Sequence, residues 1–289
     1  MTRRTLLASA AATATALPGS LSAAEDMLPL SAPVSVRKVG LWAKDAETMA
    51  DWYAARVGLQ RMGGEGNVIA MGNGRDVLLD ITEDSALTIA PPTQAGLYHT
   101  AFLLPSRRDL ARWVLFAMRE QFPVDGVADH LVSEAIYLTD PEGNGVEIYA
   151  DRPASDWVWT DGSVEMASKA IDFDSLLAEA GPAPIPWETA PAGTVVGHVH
   201  LKVGDATLAG DWWQTQMGFD AVRARQGAVF LSTGGYHHHI AVNQWQSAGA
   251  PMRPEGFTGL AYVDLQSRAP VEAAVFSDDW GTEIRLSAV

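Results

Sequence analysis

From Val39 apolar side chains recur in alternation, the period of a strand with one buried face. From Asp45 the period changes to that of a helix. Met49, Trp52, Tyr53 and Val57 fall on one stripe, Asp45 is suited to cap its start and Gly58 to close its end. Short strands are predicted at residues 68–71 and 77–82, which completes a β-α-β-β-β unit. A second unit follows, with a strand at 97–104, a helix at 109–120 and strands at 135–138 and 145–149. The last of these comes after the turn Asp140-Pro141-Glu142-Gly143-Asn144.

The pattern then repeats itself. Val39-Gly40-Leu41-Trp42-Ala43-Lys44-Asp45 returns as Val199-His200-Leu201-Lys202-Val203-Gly204-Asp205, Asp51-Trp52-Tyr53 as Asp211-Trp212-Trp213, and Gly58-Leu59 as Gly218-Phe219. The offset stays at 160 residues, as from Val39 to Val199, and needs no gap, which marks an internal duplication. In the second half Leu208, Trp212 and Met217 form the helical stripe, and strands are predicted at 228–231 and 236–242. A final unit opens at Gly259-Leu260-Ala261-Tyr262 and ends on residues 280–286. Little room is left for a helix between 267 and 276, so this unit is shortened. Between the halves, residues 153–194 carry Pro182, Pro184, Pro186 and Pro191 and read as a surface connector with a short helix at 174–180. Trp157 and Trp159, taken as exposed, offer a contact for a homo-oligomer.

Composition narrows the chemistry. With 47% hydrophobic residues the 289-residue chain can build a substantial core, and after the N-terminus no apolar run approaches the roughly 20 residues that cross a bilayer. No integral membrane segment is expected in the mature protein. A formal charge of −15 opposes nucleic acid and anionic membrane as partners. The absence of cysteine removes disulfides, zinc-thiolate sites and thiol nucleophiles, so any metal must be held by His, carboxylate, Tyr or water. Residues 1–24 read as an export signal: Arg3-Arg4 precede a small apolar stretch, in a pattern similar to a twin-arginine signal. Ser22-Ala23-Ala24 supply a cleavage site, and the mature protein is expected in the periplasm.

Five of the 7 histidines fall between positions 198 and 239. On strands, alternation sets His198 and His200 on one face and His237 and His239 on one face, so that four imidazoles converge on a concave sheet. By the same rule His238 turns to the side of Ile240 and Val242 and is structural, and His130 is a hydrogen-bonded loop residue.

Several strings carry a family resemblance: Gly96-Leu97-Tyr98-His99, the stretch from Asp129-His130 through Asp140-Pro141-Glu142-Gly143-Asn144-Gly145-Val146-Glu147, Gly197-His198-Val199-His200, and Gly234-Gly235-Tyr236-His237-His238-His239. In this order they resemble the vicinal oxygen chelate (glyoxalase/bleomycin resistance/extradiol dioxygenase) superfamily, and within it the two-domain bacterial catechol 2,3-dioxygenases. The resemblance implies an α+β fold of four βαβββ units paired into an N-terminal domain at 34–152 and a C-terminal domain at 195–289. It implies a non-haem Fe(II), with Mn(II) as an alternative, held by two His and a carboxylate, and a small aromatic diol and O2 as substrates.

Carried onto this chain, the resemblance assigns the metal to His198, His239 and Glu283, with His200, His237 and Tyr262 in acid-base or substrate-binding roles. Aligning residues 280–282 with 142–144 sets Arg285 opposite Glu147, and Glu283 shares its face two positions away. A rival N-terminal site consists of His99, Glu147 and Asp80. There Lys38 stands at the first-strand His position, where an ion pair with Glu147 is expected. Two other functions remain open on this scaffold. One is a glyoxalase-like isomerase or lyase using Zn or Ni; the other is a non-catalytic exported protein that binds a metal or small ligand, favoured by Lys38, Tyr262, Arg285 and the short last unit.

Overall fold

The computed structural model describes residues 28–289, so the export signal expected over residues 1–24 lies outside the described residues. A short helix α1 (Leu28–Ser31) leads into the first unit, β1 (Val34–Ala43), α2 (Ala46–Arg56), β2 (Gln60–Gly63), β3 (Val68–Gly72) and β4 (Val77–Glu83). The second unit is β5 (Gly96–Leu103), α3 (Arg107–Glu120), β6 (Gly126–Asp129), β7 (Ser133–Thr139) and β8 (Gly145–Asp151). The connector holds a small hairpin, β9 (Trp159–Thr160) and β10 (Ser163–Val164), and α4 (Phe173–Ala178). The third unit is β11 (Val195–Lys202), α5 (Ala206–Met217), β12 (Asp220–Arg225), β13 (Ala228–Ser232) and β14 (Ile240–Asn243). The fourth has strands alone, β15 (Gly259–Ser267), β16 (Ala274–Ser277) and β17 (Glu283–Ala288), as the short sequence requires.

Local chemistry sets the repeat. Asp45 accepts a hydrogen bond from the Thr48 backbone N–H and Asp205 accepts from Thr207 and Leu208, so both long repeat helices start on the predicted cap. Gly218 closes α5 at φ 69°, a left-handed conformation that glycine adopts without a Cβ clash. Of the first stripe Met49, Tyr53 and Val57 are core and Trp52 packs half-buried against it; in the second half Trp213 is the fully buried aromatic, while Trp212 and Met217 are partly buried and Leu208 is exposed. Tyr53 and Trp213 join the strand residues Val39, Leu41, Val199 and Leu201 in one continuous cluster.

Apart from the β9–β10 hairpin, the described strands form two sheets whose composition crosses the two halves of the chain. The seven-stranded sheet has the order β16-β17-β15-β1-β4-β3-β2 and the eight-stranded sheet β12-β13-β14-β11-β5-β8-β7-β6. Sequence order suggested that unit one pairs with unit two and unit three with unit four. The hydrogen-bonded sheets instead join unit one to unit four and unit two to unit three. The seams are β1 against β15 and β5 against β11, both antiparallel.

Two local expectations also change. Residues 236–239, expected in a strand, form a turn before β14; Gly234 and Gly235 at φ 66° and 78° break the strand ahead of it. Face alternation therefore does not govern His237–His239. Trp157 is buried, not exposed. Its indole N–H donates to the Arg152 carbonyl and its ring lies 5.1 Å from that of His237.

Candidate metal centre

The centre of the eight-stranded sheet is where three strands present polar side chains on one face. β5 and β11 set His99 opposite His200, and the parallel pairing of β5 with β8 sets Ala101 beside Glu147. Along β11, Val199 and Leu201 enter the core while His198 and His200 turn to the other side; along β8, Val146 and Ile148 do the same around Glu147. That other side faces a cavity of about 640 Å³, walled by Leu97, Tyr98, Phe230 and Trp245.

His99, His198 and Glu147 converge there. Glu147 Oε2 lies 2.9 Å from His99 Nε2 and 3.2 Å from His198 Nε2. The ligand nitrogens of His99, His198 and His200 all lie within 4.8 Å of one another. All four side chains are nearly inaccessible, at 1–6%. Burial opposes the charge of Glu147, yet the imidazoles of His198 and His99 against it hold its carboxyl well below the usual range. Burial pushes His198 down to about 4, against the pull of Glu147, and drives His200 well below the ordinary histidine value. The set is thus a buried carboxylate beside imidazoles of which His198 and His200 are held neutral by burial, and among the described residues no Lys or Arg forms an ion pair with Glu147.

The donor atoms fit a metal ion. His99 Nε2, His198 Nδ1 and His200 Nδ1 are buried with no hydrogen-bond partner. The short approach of His99 to Glu147 lacks hydrogen-bond alignment, as expected of two lone pairs facing a shared cation. Two neutral nitrogens and one carboxylate on one side suit a divalent transition metal.

Around this set runs a line of further contacts. His200 Nε2 is 3.0 Å from His238 Nε2, His238 Nδ1 is 2.8 Å from His237 Nδ1, and His237 Nε2 is 2.9 Å from Asp151 Oδ1. On the other side His130 links Tyr137 OH at 2.7 Å to the Ala167 carbonyl at 2.7 Å.

Of the residues assigned from sequence, the structure gathers His198, His200, His99 and Glu147 and separates the rest. His239 is not with them. Its Nδ1 faces the Ser232 hydroxyl at 3.1 Å and its Nε2 the Pro29 carbonyl at 3.1 Å, because the turn at 236–239 sends it away from the cavity. Glu283 lies on the seven-stranded sheet, half-exposed and paired with Arg285 at 2.7 Å. His238, expected to be structural, lines the cavity, and His237 stands behind it. The rival set divides, with His99 and Glu147 in the cluster and Asp80 on the other sheet.

There Asp80 accepts from both Lys38 and Tyr262, so the ion pair expected between Lys38 and Glu147 forms with Asp80 instead. The two sheets correspond position for position. Gly40 faces Tyr262 as His200 faces His99, and Arg285 lies beside Asp264 as Glu147 lies beside Ala101. Lys38, Tyr262 and Arg285 thus occupy the places of His198, His99 and Glu147. A Cβ on Gly40 would sit 2.3 Å from the Tyr262 ring, which fills the space that His200 takes in the other sheet. Sequence reading missed the joint use of His99 and His198 because it kept each site within one half. The one sequence signal for it was that both halves carried a partial ligand set.

A family model described as Glyoxalase/Bleomycin resistance protein/Dioxygenase superfamily matches residues 35–148. Over 197 residues the chain is 42% identical to the catechol-2,3-dioxygenase of Bacillus subtilis (strain 168), a match that covers 67% of this chain and 68% of that protein. Among solved structures it is similar to a putative dioxygenase from Bacillus subtilis, with a TM-score of 0.58 and 11% identity over 88% of this chain and 84% of that one. It is also similar to glyoxalase I from Zea mays, with a TM-score of 0.51 and 11% identity over 88% and 92% of the two chains. At such identity the structural likeness is one of fold alone.

Proposed function

The chain belongs to the glyoxalase/bleomycin resistance protein/dioxygenase superfamily, and from that premise we propose that it is a metal-dependent extradiol dioxygenase that cleaves the ring of a catechol-like diol with O2. The observation that carries this reading is the buried set of His99, His198 and Glu147 opening on an aromatic-walled cavity, in a chain related to a catechol-2,3-dioxygenase. These three residues would hold the ion, Fe(II) or Mn(II). When bound, such an ion would be chelated by the adjacent oxygens of a diol and would supply the activation of O2.

The rest is done by the chain. Leu97, Tyr98, Phe230 and Trp245 enclose a flat ring and keep water from it. Glu147 stays anionic and offsets part of the ion's charge. His200, whose Nδ1 has no partner, takes the proton that a diol hydroxyl gives up. Lys38, Tyr262 and Arg285, which in sequence favour a non-catalytic binding protein, lie on the other sheet and do not touch this cavity.

Anaerobic loading with Fe(II), followed by catechol and air, should consume O2 and form a yellow ring-opened product. Full metal occupancy with no O2 uptake across a panel of substituted diols would end the proposal. Turnover without O2 on a Zn- or Ni-loaded enzyme would support the isomerase or lyase alternative. Export belongs to the same proposal: protein recovered from the periplasm should begin near Glu25.

A further inference from the structure

Three consecutive hydrogen bonds connect the cavity to a carboxylate 49 positions before His200 in the chain, through two residues of the Tyr236-His237-His238-His239 turn. Such a line has a direction, because each neutral imidazole has one N–H and one lone pair. Asp151 can only accept. It receives the Nε2–H of His237 at 2.9 Å, and also the Tyr236 hydroxyl at 3.3 Å, which fixes it as the negative end. The proton on Nε2 leaves His237 Nδ1 as an acceptor, so His238 Nδ1 must donate to it across 2.8 Å. His238 Nε2 is then the acceptor, and His200 Nε2 donates to it across 3.0 Å. The one nitrogen left over is His200 Nδ1, bare and unpartnered in the buried cluster.

We propose that Asp151 sets the tautomer of His200 through His237 and His238, so that the unpartnered Nδ1 of His200 carries the lone pair within the buried cluster. Asp151, His237 and His238 are positioning residues in this scheme. None of the opposite tautomers can coexist with an accepting Asp151, because reversing any one ring leaves two N–H groups or two lone pairs face to face. The packing supports the line. The His237 ring lies 4.0 Å from that of Tyr236, tilted by 34°, with Trp157 at its edge, and His238 lies 4.1 Å from the ring of His198. The use of the lone pair as an acceptor for a diol proton rests on the ring-cleavage reading; its existence does not.

The test reads the tautomers directly. In full-length mature protein labelled with 15N in its histidine rings, both metal-free and loaded with diamagnetic Zn(II), 1H–15N couplings report which nitrogen carries each proton. Single His→Gln variants assign the signals. His238 should carry its proton on Nδ1, and His237 and His200 theirs on Nε2; the reverse at His238 or His200 overturns the proposal. D151A should scramble the pattern, D151N, which keeps an acceptor oxygen, should retain it, and H237F should reproduce D151A with no further change in the double variant. An unchanged pattern in D151A also overturns it. In the Fe(II) enzyme D151A and H237F should each lower kcat about tenfold with KM little changed, and D151N should recover most of the loss. Should D151A fail to fold, the wild-type spectrum alone decides. Should no diol be turned over at all, the ring-cleavage reading falls while the tautomer result stands.

Discussion

An imidazole that accepts on one nitrogen and donates from the other has no lone pair left for a metal, and that is the state of His239 between Ser232, Thr233 and Pro29. Its role is to hold the segment before β1 against the turn that follows β13. Replacing it by Ala should cost about 3 kcal/mol of stability through lost packing and two stranded partners, while metal stoichiometry stays unchanged. Urea unfolding and metal analysis of H239A check this, and a lost ion would return His239 to the ligand set. The pH dependence follows from burial, which lowers His239 from 6.5 to about 3. The unfolded chain binds this proton below pH 6.5 and the folded one does not. The stabilisation is therefore complete above pH 6.5 and lost as pH falls toward 3, by about 1.4 kcal/mol per unit. The advantage of wild type over H239A should shrink over that range.

At the scale of elements, the Tyr149 side chain reaches from β8 across β5 to the backbone of β11, and that reach depends on one missing side chain. A Cβ at Gly197 would meet the Tyr149 hydroxyl at 1.8 Å. G197A should destabilise the fold by about 2 kcal/mol, and Y149F, which removes that oxygen, should recover part of the loss in the double variant, as a thermodynamic cycle would show. Additive losses would mean that the contact does not matter.

The same strands show what could be read from sequence. Alternation correctly put His198 and His200 on one face, opposite the core residues Val199 and Leu201, and the cap residues placed α2 and α5. Alternation failed at residues 236–239, where two glycines end the strand and the three histidines take three different directions. It could not show that His99 meets His200, because that contact depends on which strands lie side by side, and local periodicity carries no information on pairing.

For the whole molecule, the crossing of halves means that neither half can be removed without cutting both sheets along a central seam. The proposed ion site lies on one of those seams only. Adding a divalent metal should slow hydrogen exchange in β5, β8 and β11 and leave β1, β4, β15 and β17 as they were, a contrast that mass spectrometry of peptides reads directly. Equal protection of both sheets would place the binding elsewhere. At the matching seam, the Lys38 ammonium lies against Asp80 where the other sheet has the candidate ion site. That cation is covalently tethered, so no chelator can extract it and no shortage of metal can leave it vacant. The molecule thus contains its own internal standard: in any metal titration or depletion, one sheet reports the ion and the other, built on the same repeat, reports everything else.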